Sequence, residues 1–379
     1  MLHSLRPTGG GWLVLGATLV AVAVALLLSA ILISTTGGSP ADSVDAVWTG
    51  SVATATSWST TLLNTAPLLL VAVGACVSAR SGTFNIGQEG QVLIGAFAGA
   101  YVALRLSISG PLLIILVIVA AGLAGGVWAG LSAVMLRLRG VNVVVSTLLM
   151  SFLAQQVVSY AVTTQWFLQE TAEGSSGIAN SQSNPMPASA KLGSTGAYPG
   201  LQLNVGLLLA VLATVVVAVA LARTRWGFRL TMLGLNPVTA RHTGVRVALM
   251  GGLALAISGA LAGVAGAVLV TSPVTANRLD ANISDYFGWD GLLVALVARN
   301  RPVVCVPVAL LFGILRAGGD FLSATGIPYY LVDISKGLLV LAVVAPPVVV
   351  SMLQRRSSAR RAAQIVLPEN ITTKVEAHA

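Results

Sequence analysis

The sequence predicts an all-α fold: a polytopic membrane helical bundle of about ten transmembrane helices, with N- and C-termini cytoplasmic. Three observations predict it. Hydrophobic residues make up 56% of the 379 and charged residues 9%, with a mean hydropathy of +0.88, whereas a soluble domain carries about 25% charged residues. Apolar runs recur at close to the roughly 20 residues that a spanning helix needs. The arginines gather in alternate connections, as basic residues do on the cytoplasmic side of a bilayer. The net charge of +9 would suggest nucleic acid in a soluble chain. Here the cytoplasmic loops account for it, and no nucleic-acid partner is expected.

Trp12–Ile33 follows Arg6 and is long for a signal-peptide core, without a clear small-residue cleavage site, so it reads as an uncleaved anchor helix. Thr35–Trp58 is a polar loop with Asp42 and Asp45. Thr60–Ala79 is the second helix, closed by Arg80. Gly90–Leu106 and Pro111–Leu136 are the third and fourth, joined by a short turn, with Arg137 and Arg139 ending the fourth. Val141–Val162 is the fifth, with Asn142 and Ser146 near its start. An outer loop, 163–202, is rich in Ser, Gly, Asn and Pro and carries Glu170, Glu173 and Lys191. Leu203–Ala222 is the sixth helix, the basic connection 223–246 follows, and Val247–Val270 is the seventh.

Tyr286–Ala298 and Val303–Gly318 are short runs around Arg299-Asn300-Arg301-Pro302. A re-entrant hairpin there would strand two arginines near mid-bilayer, at about 2.5 kcal/mol or more each. Full crossing is therefore the expectation. Tyr330–Met352 is the last helix. One membrane domain covers 1–354 and a basic cytoplasmic tail covers 355–379. With ten crossings the basic connections fall inside and the acidic loops outside; Arg105, Lys191 and Arg278 are the exceptions. Glycines at four-residue spacing (Gly95 and Gly99; Gly122, Gly126 and Gly130; Gly259 and Gly263) let helix backbones approach closely.

Some absences narrow the function. No lysine follows a glycine as a phosphate loop requires, so no ATP site of the usual kind is expected, nor any catalytic residue, cofactor or metal. His3, His242 and His378 lie outside the predicted membrane helices, and Cys76 and Cys305 fall in separate apolar runs. Intramembrane carboxylates are few: Glu89, Asp290 and Asp333, the last with Lys336 one turn away as its expected partner. A stand-alone secondary transporter or membrane enzyme would need a charged cluster or catalytic pair, and neither is evident.

Two stretches stand out. Arg80–Gln91 is polar and broken by Gly82, Gly87 and Gly90 between two apolar runs. Irregular backbone cannot face lipid, so it sits at a membrane face, is buried in protein, or lines a wet cavity, as in helices broken where solutes cross. Its polar groups Asn85, Gln88, Glu89 and Gln91 either face such a pathway or satisfy backbone at a helix start. In the connection 223–246, Asn236 is a plausible N-cap with Pro237 at the first helical position. A short helix over Val238–Thr243 would stop at Gly244. It is either a basic loop held at anionic headgroups or a docking helix for a cytoplasmic partner.

Leu233-Gly-Leu-Asn-Pro-Val-Thr-Ala-Arg-His-Thr-Gly-Val resembles the coupling segment of ABC importer permeases that handle simple sugars, nucleosides and branched-chain amino acids. Three further stretches resemble nucleoside-type members: Ser81-Gly-Thr-Phe-Asn-Ile-Gly-Gln-Glu-Gly-Gln; Gly140-Val-Asn-Val-Val-Val-Ser-Thr-Leu-Leu-Met; and Gly288-Trp-Asp-Gly-Leu-Leu-Val-Ala-Leu-Val-Ala-Arg-Asn-Arg-Pro followed by Leu311-Phe-Gly-Ile-Leu-Arg-Ala-Gly-Gly. Order and spacing hold from about Asn64 to Val344. Val143 stands where the family usually has an acidic residue, Ala298 where glycine is common, and Thr239 where alanine is.

The resemblance implies a transport subunit of the bacterial inner (plasma) membrane rather than an enzyme, with ATP and Mg held by a separate cytoplasmic ATPase. It also implies a second permease chain, often a hetero-dimer partner, and an extracytoplasmic substrate-binding lipoprotein. Nucleosides are the expected cargo; simple sugars or other small polar nutrients are the alternative. Gly234, Asn236, Pro237, Ala240, Arg241 and Gly244 would couple to the ATPase. Asn85, Gln88, Glu89, Gln91, Asn142, Ser146, Trp289 and Asp290 are the pathway candidates. Tyr286, Phe287 and Trp289 read either as a base-stacking set or as an interfacial aromatic belt.

Overall fold

The computed structural model describes residues 10–35, 39–108, 110–171, 180–198 and 200–324, with most of 331–353. Arg6, Glu173, Lys336 and the tail 355–379 lie outside the described residues. Two compact units separate, Val44–Thr325 and one formed from the two ends of the chain. In the latter, α1 (Gly10–Thr35) is apolar along its whole length, and the described residues of 331–353 are helical.

The other unit carries α2 (Pro40–Ser51, its first turn outside the unit), α3 (Ala55–Arg80), α4 (Gln88–Arg105), α5 (Pro111–Arg139), α6 (Val143–Thr163) and α7 (Val205–Arg223). Then come α8 (Arg225–Leu235), α9 (Pro237–His242), α10 (Val247–Val270), α11 (Phe287–Val297) and α12 (Pro302–Ala324). Among the described residues, seven helices are long and apolar enough to cross a membrane. α10 has the limits that the sequence predicts. α2 and α8 lie in stretches read from sequence as loop and connection.

α3 is the central post, buried from Asn64 to Ser78. α4, α5 and α10 pack beside it on small residues. A Cβ on Gly126 would sit 3.1 Å from the Ala256 carbonyl, and one on Gly259 would sit 2.5 Å from that of Gly125. Gly95 and Gly263 meet backbone to backbone, whereas Gly130 faces open space. The four-residue spacing thus marks a true contact, with Gly125 contributing out of phase.

The unit has two unlike ends. One is basic and holds Arg80, Arg137, Arg139, the α8–α9 arginines, Arg299 and Arg301. Close to it the thiols of Cys76 and Cys305, both free, lie 3.5 Å apart and join α3 to α12. The other end carries an antiparallel hairpin, β1 (Ser194–Tyr198) with β2 (Leu201–Asn204). Ser59 at the start of α3 bonds there to the Gly200 carbonyl at 3.1 Å and accepts from Gln202 N–H at 2.8 Å. Segments 180–186 and 277–280 bond to one another through Ser183 N–H to Leu279 O and Met186 N–H to Asn277 O. Two of the three cations that depart from the charge pattern have local partners at this end: Arg278 pairs with Glu170, and Arg105 donates to the carbonyls of Trp166 and Phe167.

Candidate functional site

Two helices of this unit begin at mid-depth instead of at a surface. α3 ends at Arg80, and Gly82 turns the chain with φ +77°. Residues 83–87 then run back into the bundle as irregular backbone. Gln88, at the start of α4, donates to the carbonyl of Val71 at 3.0 Å. Val71 is nine residues back from Arg80, about 14 Å along the helix. α11 has 11 residues, about 16 Å, or roughly half a hydrocarbon core. It runs from that depth to the basic end.

The chain that leads into α11, 276–286, is irregular. Ala281 accepts from Gln155 at 2.5 Å, twelve residues into α6. The predicted Tyr286–Ala298 helix is thus an eleven-residue half-helix preceded by loop, too short by itself to span a hydrocarbon core, and Arg299 and Arg301 follow it at the basic end. Irregular backbone at this depth is tolerated only inside protein or beside a wet cavity.

The polar groups of the first break fall into two sets. Asn85, Gln88 and Gln91 are buried. Asn85 and Gln91 exchange amide bonds at 2.8 and 3.0 Å, and Asn85 Oδ1 also accepts from Gly87 N–H. Ser258 Oγ on α10 accepts from Asn85 at 2.9 Å and from Gln88 at 3.3 Å. This knot fastens the break to α3 and α10. α6 closes it: a Cβ on Gly87 would lie 2.5 Å from the Thr147 carbonyl, and Gly90 N–H donates to Ser151.

Glu89 points the other way. Its carboxylate accepts the N–H of Gly288 at 2.9 Å and so caps α11 from another helix. Orphan amides and dipole at a helix N-terminus favour such a negative charge. Trp289 and Asp290, in the first turn of α11, are half-buried, and Asp290 accepts from Arg316 on α12 at 3.0 Å. Arg316 is 5% exposed. It also donates to the carbonyl of Asp285 at 2.6 Å and pairs with its carboxylate. Its guanidinium lies 3.7 Å over the Phe287 ring. Phe287 is thus buried beneath an arginine rather than placed in an aromatic belt. On the same face Tyr286 is 61% exposed and the Asp285 carboxylate 43%.

The other pathway candidates lie apart. Asn142 is an exposed N-cap for α6, accepting from Val144 N–H at 2.8 Å, and Ser146 is buried and donates within its own helix. Arg316 and Asp285 were missed by sequence reasoning, although an arginine inside an apolar run marks function by default. Among the described residues no group of three or more His, Cys, Asp or Glu side chains is placed to hold a metal ion.

The basic end holds the second predicted site. Asn236 accepts from the amides of Val238 and Thr239 at 3.0 and 3.1 Å, with Pro237 opening α9. Gly244 stops it at φ +83°. Ala240 is buried with Leu233 and Val245 in a small core, whereas Leu235 (79%), Val238 (64%), Phe228 and Arg241 are exposed. Gly234 lies against the turn after α3: a Cβ on Gly82 would be 3.2 Å from its Cα.

The description "Branched-chain amino acid transport system / permease component" matches residues 57–344. The chain belongs to this permease family. A glucose ABC transporter permease protein of Haloferax volcanii is 30% identical, the match covering 89% of each chain. A nucleoside ABC transporter permease protein of Lactococcus lactis subsp. cremoris is 27% identical over 86% of this chain and 89% of its own. A guanosine ABC transporter permease protein of Bacillus subtilis is 26% identical over 86% and 92%. No solved structure matches. This permease is a multi-pass integral membrane protein of the ABC transport type, and its relatives are largely nucleoside permeases.

At the hairpin end of the permease, Glu170 bonds to Gln182 and Arg278, which hold its carboxyl below the usual carboxylate range.

Proposed function

We propose that this chain is one permease subunit of an ATP-driven importer in the bacterial inner membrane, its basic end in the cytoplasm. A separate ATPase, holding ATP and Mg, grips α9 through Leu235, Val238 and the surrounding arginines. A second permease chain completes the pathway in a hetero-dimer, and a substrate-binding lipoprotein delivers solute at the hairpin end. Glu89, Trp289 and Asp290 line the pathway. Asn85, Gln88, Gln91 and Ser146 brace it, and Asn142 caps α6 at its cytoplasmic mouth. The part-buried carboxyl groups at mid-depth support that placement, because an ionisable group there cannot face lipid cheaply.

One observation carries the reading: the backbone contact of Gly234 with Gly82. It links α8, which leads directly into the docking helix α9, to the loop whose far end holds Gln88 and Glu89, and through Glu89 to α11. Movement of α9 has a short, packed route to the mid-depth helix starts. The test replaces Asn236 and Pro237 together by alanine. Losing the cap costs about 1 kcal/mol locally, so the variant co-purifies with the ATPase but no longer supports solute-stimulated ATP hydrolysis. Normal stimulation would remove the reading.

Nucleosides are the proposed cargo, since two of the relatives named above carry nucleoside or guanosine in their names. The glucose permease relative favours a second reading, simple sugars. Titrating the purified binding protein with nucleosides, ribose and glucose separates the two.

A further inference from the structure

Arg316 stands in the C-terminal motif without a role assigned to it and lies outside the docking site, yet it is the buried cation at the centre of the mid-depth face. It stands on a fixed post. A Cβ on Gly313 would lie 2.9 Å from the Thr61 carbonyl of α3, and one on Gly318 would lie 2.9 Å from the Val47 carbonyl of α2. α12 is therefore packed closely against α3 and α2 on either side of Arg316. What Arg316 holds is the opposite kind of structure. Asp285 and Tyr286 have φ of +36° and +65°, a region unfavourable to non-glycine residues. Such backbone persists only where its surroundings over-determine it.

Arg316 supplies that constraint from two directions. One nitrogen binds the carbonyl and carboxylate of Asp285 in the turn, and the other binds Asp290 in the first turn of α11. The Phe287 ring between them is pinned under the guanidinium. The next amide, Gly288, is the one that Glu89 caps.

We infer that Arg316 is the positioning residue of the solute pathway: it fixes the start of α11 so that Glu89 and Asp290 keep their places on the mid-depth face. This rests on the pathway reading above. A planar fork is required, since one group must bond in two directions while stacking on a ring; lysine keeps the charge and loses the fork.

The test uses the complete transporter (this chain, its partner permease, the ATPase and the binding protein) in proteoliposomes, with tritiated guanosine as the probe. Arg316→Lys is expected to lower the maximal uptake rate about tenfold, because the fork is lost while the charge remains. The half-saturating concentration of loaded binding protein and the basal ATP hydrolysis should stay as in the wild type. Arg316→Gln, which loses both the fork and the charge, should lose more. An unchanged uptake rate in Arg316→Lys would overturn the inference, as would uptake and basal hydrolysis falling by one common factor.

A second measurement needs no cargo. Spin labels at Tyr286→Cys and Val127→Cys, with Cys76 and Cys305 replaced by alanine, report the position of the α11 start. The distance distribution should be narrow with Arg316 and broad with lysine; equal widths overturn the inference. If the wild type takes up no guanosine, the cargo or pathway reading fails, and the distances alone decide the role of Arg316.

Discussion

Gln88 and Glu89 are neighbours in the chain and share the first turn of α4, yet they serve opposite sides of it. Gln88 is fully buried and joins Asn85, Gln91 and Ser258 in a neutral knot among α3, α4 and α10. Glu89 is only part-buried by contrast, and its carboxyl, bonded to the Gly288 amide, holds the end of another half-helix. The difference separates two needs of broken backbone inside a membrane. Freed amides must be satisfied where the chain is packed, and neutral side chains do that without the desolvation cost of a charge. A carboxylate is tolerable only where a helix N-terminus, a guanidinium and water meet it.

The comparison sharpens into a series, ordered by effect on stability. Asn85→Leu strips partners from Gln91, from Ser258 and from the Gly87 amide. Each buried polar group so stranded costs about 1–3 kcal/mol, so the variant should lose several degrees or more in thermal unfolding in detergent, or fail to fold. A wild-type midpoint would show that the knot is idle. Glu89→Gln keeps the shape and removes the charge that caps α11. A cap charge is worth about 0.3–1 kcal/mol, up to about 2 in partly buried sites, so folding should survive while uptake falls. Unchanged uptake with unchanged folding would make Glu89 another member of the knot.

The smallest effect belongs to the hairpin end. The carboxyl of Glu170 is depressed by Gln182 and Arg278, so its contribution is present above the unfolded carboxylate value of about 4.3. It is lost as pH falls through the lower folded value. Proteolysis of the segment around Glu170 should speed up only below about pH 4, and Glu170→Gln should remove that dependence.

Much of this was legible in the sequence. α10 was read to its limits, because a long apolar run bounded by Arg246 and Thr271 leaves no other choice. α9 was read nearly as well, because Asn-Pro is a local start signal and Gly244 a local stop. α8 was passed over, although Gly227, Leu230 and Leu233 recur at helical spacing on its buried side, with Arg225 and Arg229 one turn apart on the exposed side.

The charged face was harder, for a physical reason. The partner of Glu89 is 199 residues away, and the acceptors of Arg316 lie 26 and 31 residues upstream across a turn whose left-handed residues carry no glycine. An eleven-residue apolar run also looks the same whether it starts at a surface or at mid-depth. What decides its depth is the contact of Gly288 with Glu89 and of Gly291 with Val71, and neither is a local property.

The most direct measurement follows one cysteine at the mid-depth start of α11. Tyr286→Cys, in a chain with Cys76 and Cys305 replaced by alanine, is assembled with the ATPase in sealed vesicles. A membrane-impermeant maleimide is then added from each side, with no nucleotide and with the ATPase trapped in its nucleotide-bound state. If docking at α9 moves the solute path through Glu89 and α11, the thiol reacts from water and its rate from a given side changes between the two states. Equal rates in both states, or reaction only with a lipid-soluble reagent, would contradict the account.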